Sequence, residues 1–133
     1  MAVKHARPLS PHLSIWKPGI HMFVSIFNRA MAVGLATVGT LGFMGWLVAL
    51  ASGQQTYEAF MSYATGSFYL GYLVAIGLTF AFFFHLAMGV RHFVMDVGSG
   101  YELKNNRLWS WMTLLLAVIL TVVTWAMILG KGL

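Results

Sequence analysis

Cysteine is missing from this chain of 133 residues, so disulfides, thiol nucleophiles and thiolate-held clusters are excluded for it. Charge is nearly as scarce. Asp and Glu together number three, and all charged residues amount to 8% of the sequence. A soluble domain carries ~25%, so this chain has too little charge to cover a water-facing surface. The only prolines are Pro8, Pro11 and Pro18, and they interrupt the N-terminal segment before any apolar run begins. That segment therefore does not read as a cleavable signal peptide.

What fills the chain instead is apolar. Hydrophobic residues make up 59% of it, and the mean hydropathy is +0.79. Three runs lack Asp, Glu, Lys and Arg altogether: Ala30 to Gln55, Ala59 to Val90 and Leu108 to Gly130. Each meets the roughly 20 residues that a helix needs to cross a bilayer. Open strand edges cannot be left in lipid, which disfavours a sheet. The expected fold is all-α, an integral membrane protein with three transmembrane helices in one domain, residues 1–133. An extended arm spans 1–21, helices span 22–54, 60–96 and 108–130, and a polar loop spans 97–107.

The net charge of +5 does not form a stripe for nucleic acid. Lys4, Arg7, Lys17 and Arg29 precede or open the first span, and Arg91, Lys104 and Arg107 flank the loop after the second. The first loop holds Glu58 and no cation. By the positive-inside rule the N-terminus and the second loop face the cytoplasm or matrix, where the cations meet anionic lipid headgroups. His5, His12 and His21 punctuate the arm. Trp16 and Lys17 stand where an interfacial anchor belongs, as do Trp109, Trp111 and Trp125 near the ends of the third span. Glycines of span one, Gly34, Gly39, Gly42 and Gly45, allow close approach of another helix.

His85 is the residue that demands a reason. An ionisable group within a membrane segment requires a partner, a metal or a wet cavity. His85, Gly89 and His92 follow i, i+4, i+7 and form one stripe of a helix. Imidazole is a haem ligand, and a glycine leaves room for a porphyrin edge. Arg91 and His92 are candidates for propionate contacts. On residues alone, a hydrogen bond from His85 to a neighbouring helix is an equal reading. The cluster Phe80, Phe82, Phe83 and Phe84 fits either a flat cofactor or lipid-facing bulk. No HExxH occurs, which disfavours a metal hydrolase. Ser25 and Arg29 share a helical face at the same membrane depth as His85. A hydroxyl and a guanidinium there suit the carbonyls of a quinone headgroup, or else a helix start and a snorkelling arginine. Asp96 reads as a partner for Arg91 or His92 at the helix end.

These residues carry a resemblance. Arg7-Pro-Leu-Ser-Pro-His12, Ser25-Ile-Phe-Asn-Arg29, His85-Leu-Ala-Met-Gly-Val-Arg-His92 and Asp96-Val-Gly98 together resemble the cytochrome b556 subunits of succinate dehydrogenase, over the arm and all three spans. The resemblance implies half of a two-subunit haem-binding helical bundle. A second small anchor subunit supplies the other half, and an iron–sulfur subunit and a flavoprotein subunit dock on the cytoplasmic or matrix face. It implies one haem b shared with the partner anchor, with His85 the axial ligand and His92 the better propionate contact beside Arg91. Ser25 and Arg29 match the quinone-site positions, with ubiquinone as substrate. FAD and iron–sulfur clusters belong to partner subunits, so the chain serves succinate:quinone oxidoreduction without oxidising succinate itself. Many members carry His immediately before the first-helix arginine, where this chain has Asn28. Asparagine still hydrogen-bonds but bears no proton charge, so a charged propionate contact is not expected there. The lack of a long Arg- and Ser-rich leader favours a bacterial inner membrane over the mitochondrial one. The rival readings are a fumarate reductase anchor and an anchor with no redox site.

Overall fold

The computed structural model describes residues 10, 12–66 and 70–130. The arm's Lys4, Arg7, Pro8 and Pro11, together with Lys131, lie outside the described residues, and with them most of the arm motif.

The described residues are helical nearly throughout, and three helices are long and apolar enough to cross a membrane: Ile20–Ala51, Leu70–Asp96 and Leu103–Gly130. The first is composite, with α1 (Ile20–Gly34), a π-helical turn (Leu35–Gly39) and α2 (Thr40–Ala51) in one rod. Thr hydroxyls mark the wide turn. Thr37 Oγ1 donates to the Val33 carbonyl at 2.7 Å and Thr40 Oγ1 to the Leu35 carbonyl at 3.3 Å, bonds that compete with the ordinary ladder. α3 (Gln54–Gly66) folds back onto α2, where Phe60 lies against Gly45. α4 (Leu70–Asp96) and α5 (Leu103–Gly130) are the second and third spans.

The apolar runs placed the spans, while their ends follow local chemistry. The stretch 60–96 divides between α3 and α4, and α5 begins at Leu103 inside what the polar composition marked as loop. There Asn106 N–H bonds the Glu102 carbonyl at 2.8 Å and Asn105 Nδ2 donates to Glu102 Oε2 at 3.1 Å, so polar residues build the first turn of a helix. α4 stops in a Schellman motif. Ser99 N–H reaches the Val94 carbonyl at 3.3 Å and Gly98 N–H the Met95 carbonyl at 2.8 Å. Gly98 sits at φ +81°, where a side chain would be strained.

Val24 of α1, Phe84 and Met88 of α4 and Ala117 of α5 are buried at the centre, with Ile20, Phe27, Met31, Phe80, Phe83 and Leu114 around them. Phe27, Phe80 and Phe84 meet as rings 5.2–6.2 Å apart. Phe80 and Phe84 are thus packing residues of this chain, while Phe82 is exposed. Contacts between Gly39 and Leu78 at one end, and among Val24, Phe84 and Met88 nearer the other, set α1 antiparallel to α4. Most remaining large apolar side chains face outward. A soluble core cannot leave so many exposed, but lipid tails or another apolar helix cover them at no cost in dewetting.

Candidate functional site

His85 is exposed on α4, about 100° round the helix from its buried neighbour Phe84. Its ring is held from inside the chain: Nδ1 lies 3.0 Å from Asn28 Oδ1 of α1. The amide oxygen only accepts, so Nδ1 is the donor in this contact and Nε2 is not engaged by it. A metal-ligating histidine needs this arrangement, with one nitrogen tethered and the other free. One turn on, a side chain at Gly89 would meet nothing within 4 Å. The surface is thus open one turn beyond His85 on the same stripe, and an outward imidazole beside a bare glycine is a residue pair that fits a porphyrin edge. Among the described residues no three His, Cys, Asp or Glu side chains gather.

A second locus lies nearer the charged end of α4. Trp16, His21, Met22, Ser25 and Ile26 face Met88, Arg91, His92, Met95 and Asn106 across a hollow of about 450 Å³. Geometry builds it from the sequence upward. His21 and Ser25 are four residues apart on α1 and look the same way. Arg91 and His92 come from the last turns of α4, and Asn106 from the first turn of α5.

Arg91 is 6% exposed. Its Nη2 donates to Asn106 Oδ1 and its Nη1 lies 3.5 Å from Met88 Sδ. Its Nε is enclosed with no partner. Burying such a group is expensive unless something answers it.

The sequence candidates are therefore separated. Ser25, Arg91 and His92 are brought together at the cavity. Arg29 is exposed on α1 and does not line it. Arg91 points into the bundle, away from the His85 stripe, while His92 both lies on that stripe and borders the cavity. Asp96 is exposed and forms no ion pair among the described residues. The expected partnership is not formed there; the Arg91 guanidinium is buried and donates to Asn106. Trp16, read as an anchor, also lines the cavity. His21 and Asn106 were not singled out by sequence. The i, i+4 spacing of His21 and Ser25 was the available signal for one, whereas Asn106 needed the fold.

Another hollow, about 370 Å³ and almost wholly apolar, runs between α4 and α5 past Phe83, Leu86, Trp109, Met112 and Leu116. Trp125 Nε1 donates to Thr79 Oγ1 at 3.3 Å further along the same helix pair, so this tryptophan joins two helices besides any role at the interface.

Residues 3–124 match the model of the succinate dehydrogenase/fumarate reductase transmembrane subunit family. The chain is 32% identical to the succinate dehydrogenase cytochrome b556 subunit of Rickettsia conorii, over 92% of this chain and 94% of that protein. It is 36% identical to the cytochrome b560 subunit of Reclinomonas americana, over 90% of this chain and 84% of that protein. Against the cytochrome b556 subunit of Paracoccus denitrificans it is 30% identical, over 89% and 88%. The chain belongs to the succinate dehydrogenase/fumarate reductase transmembrane subunit family.

Proposed function

We propose that this chain is the haem-ligating, quinone-facing membrane anchor of a succinate:quinone oxidoreductase. The observation that carries the reading is the tethered His85 ring, exposed on α4 with Nδ1 held by Asn28 and Nε2 outside that contact. A ligand that faces outward serves a cofactor shared with a second chain. The partner anchor would then supply a second ligand to that cofactor, and the exposed apolar faces would supply the interface. Haem b, when bound, supplies one-electron chemistry at this depth of the membrane. His85 holds and orients it, Gly89 makes room for its edge, and His92 is placed along the same stripe for a propionate. Arg91 is better suited to the cavity than to that propionate.

The cavity suits a quinone headgroup. Ser25 donates a hydrogen bond to a carbonyl oxygen, and Met22, Ile26, Met88 and Met95 exclude water around the ring. The Arg91 guanidinium biases the site toward the charge that develops during reduction. Arg29, exposed beside it on α1, acts through its field at the rim. Electrons come from an iron–sulfur subunit served by an FAD-bearing flavoprotein, both docked on the basic face. In this reading ubiquinone is the acceptor. In this reading the basic N-terminus faces the cytoplasm, in keeping with the positive-inside rule, and the chain lies in a bacterial inner membrane.

The test is a reduced-minus-oxidised visible spectrum of the intact complex, comparing wild type with His85→Ala at equal subunit content. Loss or displacement of a low-spin b-type band in the variant is the expected result. An unchanged band removes His85 as ligand, and no band in wild type leaves an anchor without haem.

A further inference from the structure

We infer that His21 is the protonatable donor to the headgroup in the Ser25 cavity, a role that rests on the quinone reading of that cavity. His21 belongs to the first turn of α1, and its ring lies on the cavity wall beside Ser25. Its Nδ1 is enclosed with no hydrogen-bond partner, which leaves Nε2 as the nitrogen available to a ligand. Gly19 makes this placement possible. A Cβ at Gly19 would come within 2.6 Å of the ring's Cε1 and 2.9 Å of Nδ1, so the missing side chain is the space in which the imidazole lies.

The helix continues the argument. His21, Ser25 and Asn28 recur at i, i+4 and i+7 on one stripe of α1, and Asn28 is the residue bonded to His85. Asn28 cannot carry a proton. His21 can, and it stands at the aqueous end of the same stripe, where reprotonation from the arm side is direct. The other charged or titratable groups on the cavity are Arg91 and His92, both of α4. The arm contributes Trp16 and α5 contributes Asn106, both neutral. Arginine keeps its protons at working pH, so the imidazoles are the side chains suited to give one up.

Reduction of the headgroup needs two electrons, delivered by the iron–sulfur subunit, and two protons. One proton passes from Nε2 of the His21 imidazolium to the carbonyl oxygen beside it. That C=O becomes C–OH, and His21 is left neutral until water returns the proton. The second carbonyl takes its proton independently.

The experiment measures succinate-dependent reduction of a short-chain ubiquinone analogue by the assembled complex in membranes, from pH 5.5 to 9. Rates are normalised to reduction of a dye that accepts electrons before the membrane. In wild type kcat falls as pH rises and the imidazolium is lost. In His21→Gln kcat drops on the order of 10²-fold, the scale of a lost general acid, and this alkaline fall disappears. Gly19→Ala keeps the imidazole but displaces the ring, and lowers kcat in the same direction without removing a titratable group. His92→Asn retains the alkaline fall. A wild-type pH profile in His21→Gln, or transfer of the effect to His92→Asn, overturns the proposal. Ser25→Ala separates the two ways of failing. If it raises KM while His21→Gln is silent, the cavity binds quinone and only the His21 role is wrong. If both are silent, the quinone reading of the cavity fails with it.

Discussion

Asn28 on α1 and His85 on α4 are joined by a contact of 3.0 Å between Oδ1 and Nδ1, across 57 residues of sequence. The contact engages Nδ1 of the ring, which is the donor because an amide oxygen accepts and never donates. It also gives Asn28 a task that needs no charge.

Asn28→Ala removes the tether and leaves the imidazole proposed to ligate haem. Loss of such an outer partner typically lowers metal affinity about 10- to 100-fold. Haem retained through detergent purification is expected to fall accordingly, with the b-type band weakened rather than abolished. Asn28→Asp keeps an acceptor and is expected to retain haem. Equal haem content in Asn28→Ala and wild type would show that Asn28 does not orient the ring.

Ser25 and Arg29 should part company in kinetics. Ser25 lines the cavity and Arg29 does not. Losing one hydroxyl hydrogen bond costs ~1 kcal/mol, so Ser25→Ala is expected to raise KM for a ubiquinone analogue about fivefold. Arg29→Gln acts only through a screened field, so its smaller effect should fade as salt is raised. A larger, salt-insensitive defect in Arg29→Gln would place the guanidinium in direct contact with substrate.

The division between what the sequence told and what it hid follows from these residues. The spans were legible because a bilayer imposes length and excludes charge, and both can be counted. His85 was conspicuous for the same reason: an imidazole in an apolar run is costly. Its partner was not, because Asn28 lies on another helix and only the α1–α4 register brings the two to one level. Arg91 was assigned by its nearness in sequence to His85 and His92. A single residue turns a helix by 100°, however, and the structure sends Arg91 inward to Asn106. Asn106 itself sat in a stretch whose composition reads as loop, although Glu102 and Asn105 there make the opening turn of α5.

Arg91 is a stability liability that Asn106 relieves. Asn106→Leu leaves the enclosed guanidinium short of an acceptor, at a cost of about 1–3 kcal/mol. The expected readout is a lower melting temperature of the complex in detergent. Asn106→Asp supplies a charge-assisted bond and is expected to restore it. Unchanged melting in Asn106→Leu would mean that solvent or a partner chain answers Arg91 instead.

The α4–α5 pair carries a polar bond deep in apolar surroundings, and its energetic worth can be bounded. Thr79 Oγ1 donates to the Ala75 carbonyl at 2.7 Å and accepts from Trp125 Nε1 at 3.3 Å, so one hydroxyl serves both its own helix and the next. Tyr72 adds an edge-on ring contact to the same indole, with centroids 6.3 Å apart. Interhelical hydrogen bonds in membranes average ~0.6 kcal/mol and reach about 1.7, because the separated helices find other partners in lipid. The cycle Thr79→Val, Trp125→Phe and the double variant should therefore return a coupling within that range, measured by titration with SDS. Thr79→Ser keeps both bonds and is expected to behave as wild type, while Trp125→Phe keeps a ring for Tyr72 and loses only the donor. Additive single effects would mean that ring packing alone holds the two helices in register.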